Sequence, residues 1–435
     1  MTREDYEAKI DPIKRAPTGL IGNINPNEDG NPALHEWDQA NLMQPDMEVV
    51  RRYRLDGVRA ELKARGYAGC ILFDPINIRY AMDATNMQVW CLHNAVRYAY
   101  VATEGPVVLF DFANCQHLTD HLHLITERRN ATSWFYFENG PREKELVHNW
   151  ATELAHLVRS HAGSGNHRIA VDKCEQDGIE ALAQLGITTI PSCDFMEHAR
   201  YIKHPEEMKA VRRSINTTEI AMTEMWRQLK PGITENQLWS ILHQINIARG
   251  GEWIGTRALS SGPRTNPWFA ECSDRVIEAG DIISFDTDLI GPYGYCTDIS
   301  RAWVTPGKVP TNEQIDLHAI AKKMLAYNVD MIKPGMTFRE VADKSYRLGD
   351  EFMPTRYAAI AHGCGLADEY PAIRYPEDWE KYGYDGVVEP NTVLCFETYI
   401  GRSGGREGVK MENQVLITET GSEVLDKFSM ELIPE

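Results

Sequence analysis

Val276-Ile-Glu-Ala-Gly-Asp-Ile-Ile-Ser-Phe-Asp286 returns 111 residues later as Val387-Val-Glu-Pro-Asn-Thr-Val-Leu-Cys-Phe-Glu397, and each copy carries an apolar strand to a carboxylate. A second matched pair stands ahead of it in the same order, Lys230-Pro-Gly-Ile-Thr234 and Lys333-Pro-Gly-Met-Thr337, 103 residues apart. In both, a threonine is followed by Gln237 or Glu340 at the spacing of a helix capping box. Chance similarity of two strands is the alternative, but two matched segments in one order favour a duplicated α+β unit. If the halves face each other about a pseudo-two-fold axis, Asp286 and Glu397 meet at the centre, one from each half.

Around that centre the chain offers a metal-binding set. His362-Gly-Cys-Gly-Leu-Ala-Asp-Glu-Tyr-Pro371 reads as a loop whose small residues let an imidazole and nearby backbone approach an ion. Asp286 and Asp288 are two apart and, on a continuous strand, point to one face. Asp298 follows a Gly291-Pro292 turn, and Glu412 lies in a late strand, Val409-Lys-Met-Glu-Asn-Gln-Val415. An isolated acid is usually a solvated surface charge, yet acids gathered on apolar strands need cations to be buried. One imidazole among carboxylates suits a pair of Mn, Fe, Co or Zn ions better than a thiolate site does.

The rest of the chain frames this centre. With 435 residues, 43% hydrophobic and 25% charged, there is material for two or three domains at about 150 residues each. A formal charge of -18 argues against nucleic acid and anionic membrane surfaces as partners. No apolar leader opens the sequence and no run is long enough to span a bilayer, so a soluble, cytoplasmic protein is expected. Nine scattered cysteines without a C-x-x-C spacing speak against a disulfide framework or a zinc ribbon, and Cys364, Cys296 and Cys395 are expected to pack as small hydrophobes.

Residues 1–49, rich in Pro, Asn, Gly and Asp, read as an extended arm able to wrap a partner subunit. Residues 50–202 read as an α/β domain. It has a helix over 50–65, strands at 71–73, 98–103, 107–110 and 169–171, a helix marked by Leu146, Trp150, Leu154 and Leu157, and a closing turn at 163–166. A long helix opens residues 203–435, with Pro205 in its first turn and Met208, Val211, Ile215, Met222 and Met225 as core rather than ligands.

From about residue 50 onward the chain resembles the pita-bread superfamily of creatinase, prolidase and methionine aminopeptidase. Asp74-Pro-Ile-Asn-Ile-Arg-Tyr80 and Tyr201-Ile-Lys-His-Pro-Glu-Glu207 look like its landmarks. The resemblance implies a creatinase-like N-terminal domain and a pita-bread catalytic domain. Asp286, Asp298, His362, Glu397 and Glu412 match the five metal ligands in order, and Asp288 stands where many relatives have Gly.

Two departures bear on activity. Asn266-Pro-Trp-Phe-Ala-Glu-Cys-Ser-Asp274 lacks the histidine that family peptidases carry there, and has Trp268 and Phe269 instead. Asp368 fills the slot of the peptidases' second histidine. Missing imidazoles that orient a peptide and stabilise its tetrahedral intermediate count against peptide hydrolysis.

The pattern resembles the peptidase-like dimethylsulfoniopropionate lyases over essentially the entire chain. That implies cleavage of the zwitterion to dimethyl sulfide and acrylate at two divalent ions, iron foremost, with Asp368 as general base. Tyr357 and Trp90 are candidates to hold the sulfonium, with Trp90 arriving from a second subunit of a homodimer. The alternatives are an X-Pro metallopeptidase and a non-enzymatic pita-bread binding module.

Overall fold

The computed structural model describes residues 31–162 and 165–434. The first 30 residues of the arm, and Gly163 and Ser164 of the turn expected at 163–166, lie outside the described residues. By contacts along the chain, residues 46–200 form one unit, and residues 201–434 together with 31–45 form another.

The described part of the arm is not extended. Asn31 caps helix α1 (Pro32–Gln39) by accepting from Ala33 N, and Pro32 occupies the first turn, where its missing N–H costs nothing. Trp37 is 1% exposed. Its Nε1 donates to the Arg213 carbonyl at 3.2 Å, and the Arg213 guanidinium lies 4.7 Å from its ring. Glu36 pairs with Arg249 at 2.6 Å. Two buried side chains in eight residues, Ala33 and Trp37, leave too thin a stripe for periodicity to announce the helix. Trp37→Ala is expected to destabilise the unit holding residues 201–434 by about 3–5 kcal/mol, through lost burial and an unfilled cavity. A thermal melt with an unchanged midpoint would show that α1 is only loosely laid on.

In the first unit, Asp46 caps helix α2 (Met47–Ala64) by accepting from Glu48 N and Val49 N. The six-stranded sheet runs β4-β3-β2-β1-β5-β6. Its strands are β1 (Gly69–Leu72), β2 (Tyr98–Ala102), β3 (Val107–Asp111), β4 (Glu127–Asn130), β5 (Arg168–Val171) and β6 (Thr188–Pro191). Strand β1 is antiparallel to β2 and parallel to β5, an α/β arrangement. Helix α3 (Gln88–His93) carries Trp90, and helix α4 (Glu143–Ala162) buries Val147, Trp150, Leu154 and Leu157 against the sheet.

The second unit opens with α5 (Pro205–Gln228), whose Met208, Met222 and Met225 are buried in packing. The duplication is then visible in hydrogen bonds. Thr234 and Gln237 close a capping box on α6 (Glu235–Ala248), and after α7 (Asn312–Met331) Thr337 and Glu340 do the same on α8 (Phe338–Lys344). Thr234 bridges Val276 as Thr337 bridges Val387. Gly232 N donates to Ile277 O at 2.9 Å, and Gly335 N to Val388 O at 2.8 Å.

From these matched corners run β8 (Ile282–Asp286) and β14 (Val393–Gly401). The first lies in a sheet ordered β11-β8-β7, with β7 (Leu259–Ser261) and β11 (Ser300–Val304). Between them, β9 (Leu289–Ile290) and β10 (Cys296–Thr297) form a short antiparallel pair. The second sheet runs β13-β12-β14-β15-β16, with β12 (Ala361–Cys364), β13 (Asp368–Ile373), β15 (Gly408–Ile417) and β16 (Ser422–Val424). Ser284 Oγ donates to Gly408 O at 2.9 Å, tying one sheet to the other. The mixed helix and sheet content and the duplicated half are those of an α+β pita-bread domain. No helix among the described residues is long and apolar enough to cross a membrane.

Candidate functional site

Strand pairing brings the carboxylates together. Glu397 on β14 stands opposite Glu412 on β15, His362 on β12 opposite Cys395 on β14, and Asp286 on β8 opposite Ser300 on β11. Asp298 precedes β11 by two residues. Donor atoms lie within 4.8 Å of one another in three groups: Asp286, Asp288 and Asp298; Asp286, Glu397 and Glu412; and Asp298, His362, Cys395 and Glu412. The groups overlap through Asp286, Asp298 and Glu412, as two neighbouring cations require.

Asp288 reaches the cluster by a different route from the strand alternation read in the sequence. Strand β8 ends at Asp286, and Asp288 turns into the left-handed region at φ 36°. Just before it, Thr287 is fully buried, its Oγ1 donating to Thr297 O at 2.8 Å and accepting from Ile299 N at 3.0 Å. The turned residue is held by Gly255 N, which donates to the Asp288 carbonyl at 2.7 Å, and by Thr256, which donates to its carboxylate.

The His362 stretch, read as a loop, is a β-hairpin. Strands β12 and β13 pair antiparallel with a bulge between His362 and Gly363. A Cβ on Gly363 would stand 2.2 Å from the Tyr370 carbonyl oxygen, so only glycine admits this approach. His362 Nδ1 lies 3.0 Å from the Gly363 carbonyl, which only accepts, so Nδ1 carries the proton and Nε2 is left for a ligand. Nε2 is 3.2 Å from Asp298 Oδ2, 3.6 Å from Glu397 Oε1 and 3.5 Å from Glu412 Oε1.

Asp368 opens β13 and faces Cys364 across the hairpin. Its neighbour Glu369 points inward, where Lys203 binds it at 2.5 Å with both side chains buried. That buried pair fixes the start of β13 and therefore the placement of Asp368.

Lys410 was not singled out by the sequence reading. Fully buried on β15, its ammonium lies 2.9 Å from Asp286 Oδ2, 3.0 Å from Glu397 Oε2 and 2.7 Å from Glu412 Oε2. It also donates to Ser300 Oγ at 2.9 Å. A usable signal existed: Lys410 and Glu412 are two apart on a strand, hence on one face, and a lysine inside an otherwise buried strand needs an anionic partner.

Charges in this space displace one another's protonation. Burial, with Asp286 and Asp368 behind it, pushes the Asp288 carboxyl up to about 8. Burial likewise pushes Glu397 up to about 8 and, with Asp286 and Glu412, raises Asp298 well above the carboxylate range. At Asp286 burial is again the largest influence and opposes ionisation, but the Lys410 ammonium and hydrogen bonds with Asp298, Ser300 and Lys410 together hold the group below its usual value. Desolvation of its carboxyl, on a residue otherwise exposed, raises Asp368 to about 6, against the pull of His362.

The donor set fits a pair of cations. Asp298 Oδ1, Glu397 Oε1 and Glu412 Oε1 are buried without a hydrogen-bond partner, a costly state for carboxylate oxygens that bound cations relieve. Five carboxylates with one imidazole are donors for hard or borderline divalent ions.

The aromatic candidates are divided. Tyr357 stands by the cluster, its ring centroid 4.7 Å from Lys410 Nζ and 5.5 Å from the Phe269 ring. Trp268 is 5.9 Å from the same ammonium. Trp90 belongs to the other unit, on α3, packed 5.4 Å from Phe112.

A family model described as metallopeptidase family M24 matches residues 209–419. The chain is 39% identical, over 97% of its own length and 96% of the relative's, to the dimethylsulfoniopropionate lyase DddP of Roseovarius nubinhibens. The same identity and coverage hold for the DddP of Roseobacter denitrificans. Among solved structures, the Xaa-Pro dipeptidase from Bacillus anthracis superposes with a TM-score of 0.71 at 20% identity, covering 87% of this chain and 98% of the other.

Proposed function

We infer that this chain, which belongs to the dimethylsulfoniopropionate lyase family typified by DddP and built on the M24 fold, cleaves dimethylsulfoniopropionate to dimethyl sulfide and acrylate. It is a carbon-sulfur lyase. The observation that carries the mechanism is a metal-type cluster holding a single imidazole, His362, with a carboxylate, Asp368, at its edge. A peptidase needs donors toward a tetrahedral oxyanion, and an anionic carboxylate repels one. An elimination needs a base.

Two divalent ions, iron by family resemblance, held by Asp286, Asp288, Asp298, His362, Glu397 and Glu412, would stabilise negative charge developing toward the substrate's carboxylate. The chain's own residues do the remainder. Asp368 takes the proton from the carbon beside the carboxylate, and that electron pair forms the acrylate double bond. The bond from the next carbon to sulfur breaks with its pair on sulfur, so dimethyl sulfide leaves neutral and the one proton released stays on Asp368. No acid is needed for the leaving group, which accounts for the absent second histidine. A base whose proton affinity is raised by desolvation of its carboxyl suits this step.

The Lys410 ammonium adds positive charge at the carboxylate end and disfavours the sulfonium there, so the zwitterion is oriented. Tyr357 can take the sulfonium only on the ring face turned away from Lys410, at about 0.5–2 kcal/mol for such a contact. Trp90 supplies a second face from another copy of the chain. In support of a homodimer, the segment around it exposes Met87, Val89 and Leu92, at 42%, 56% and 48%.

Headspace dimethyl sulfide from metal-loaded protein given dimethylsulfoniopropionate tests the reading, with proline release from X-Pro dipeptides measured beside it. Gas with stoichiometric acrylate and no proline is the expected result. Proline without gas would replace the lyase with a peptidase.

A further inference from the structure

Beside the carboxylates lies a second cluster of donor atoms with different chemistry. Cys296 on β10 and Cys364 on β12 bring their sulfurs within 4.8 Å of each other and of an Asp368 oxygen. Cys296 Sγ is 3.8 Å from Asp368 Oδ1, and Cys364 Sγ is 3.5 Å from the Cys296 carbonyl. Both cysteines are buried, while Asp368 is exposed as a residue although its carboxyl is desolvated against the cluster, so an ion can reach the cluster from that side.

A fourth group steadies the two cysteines. Gln414, fully buried on β15, donates from Nε2 to Cys364 Sγ and to the Cys296 carbonyl, each at 3.4 Å, so its amide N–H groups favour a charged sulfur there. Two sulfurs and a carboxylate, with water from the open side, are a donor set for a soft, tetrahedral d¹⁰ ion. Metal–sulfur bonds of about 2.3 Å set neighbouring donors about 3.8 Å apart, so the three atoms need contract by only about 1 Å. The metal centre next door offers oxygens, one imidazole and the single thiol of Cys395, so the two-thiol place is the softer of the two.

We propose that Cys296, Cys364 and Asp368, with water as fourth donor, form an inhibitory site for one thiophilic d¹⁰ cation such as Zn²⁺ or Cd²⁺. On binding, the two thiol protons pass to solvent, the sulfurs and the carboxylate bond to the ion, and nothing is oxidised. The Asp368 lone pair is then committed to the ion and cannot take a proton from substrate. Inhibition rests on Asp368 being the base of the elimination. Binding does not.

The test is a titration of metal-loaded enzyme with Cd²⁺, following ultraviolet thiolate-to-cadmium charge transfer, metal content and dimethyl sulfide release together. The parent should take up one equivalent beyond its resident ions, with absorption of two thiolates, and lose activity about a hundredfold or more. Cys395 groups with Asp298, His362 and Glu412, so its thiolate is the control for exchange into the neighbouring centre.

Cys395→Ala should therefore keep the extra absorption, and Cys296→Ala/Cys364→Ala should lose it, with residual activity that no longer responds to Cd²⁺. Either single variant, expected to lose at least half of the absorption, serves if the double variant does not fold. No extra equivalent in the parent, or absorption that vanishes only with Cys395→Ala, overturns the site. Two-thiolate absorption with undiminished turnover overturns the inhibition and, with it, the role of Asp368, while leaving the gas-release test of the lyase untouched.

Discussion

Asp368→Asn is expected to lower turnover by about 10²–10⁴-fold, the usual contribution of a positioned base, while the protein keeps its full complement of metal. The substitution is isosteric and removes the negative charge together with the capacity to accept a proton. Metal content should hold because the Asp368 oxygen groups with Cys296 and Cys364, not with the carboxylates of the cation cluster. The fold should hold as well, since the start of β13 is fixed by the buried Glu369–Lys203 pair beside it. Dimethyl sulfide release and elemental analysis on one preparation check both halves. Activity within a few-fold of the parent would remove Asp368 as the base. Normal turnover per bound metal, with half the metal missing, would make it a ligand.

Lys410→Met is expected to be the most destabilising single change at the site, and more so without metal than with it. The side chains are similar in length, so what disappears is one ammonium shared by Asp286, Glu397 and Glu412. Breaking a buried ionic contact from one side costs about 3–5 kcal/mol because the partner charges stay behind. Two divalent ions on the same carboxylates offset much of that cost, and ligands that bind only the folded state raise its stability by mass action. Melting temperatures of parent and variant, each stripped by chelator and each reloaded, give the four numbers needed. The difference between proteins should be larger in the stripped pair. Equal differences would mean that Lys410 and the ions do not share the work of neutralising the cluster. Metal-loaded variant should also turn over more slowly, since the cation at the carboxylate end of the substrate is gone.

Much of the fold was legible because its signals are local or repeat. The two capping boxes rest on side chains three residues from their threonines, and the strands ending in Asp286 and Glu397 are short apolar runs. Their repetition in the same order exposed the duplication without any knowledge of contacts. Helix α1 was not legible, since its identity depends on a cavity built by Arg213 and Tyr293 rather than on a stripe of its own.

The site divides along the same line. Asp286, Asp298, His362, Glu397 and Glu412 could be named from residue type, order and resemblance, and Asp368 from the histidine it stands in for. The sequence could not show that Asp288 arrives by a left-handed turn, because the Gly255 and Thr256 groups that hold it there lie more than thirty residues away. Nor could it show that Lys410 shares its charge with Asp286, more than a hundred residues distant.

The sequence by itself determined which side chains are available and which repeat, because side-chain alternation and capping are written in neighbouring residues. The tertiary structure decided which charges share one cavity, which proton each can keep, and which thiols stand behind the base. Those properties depend on distance and burial across paired strands, and electrostatic energy in a low-dielectric interior follows distance in space rather than separation along the chain.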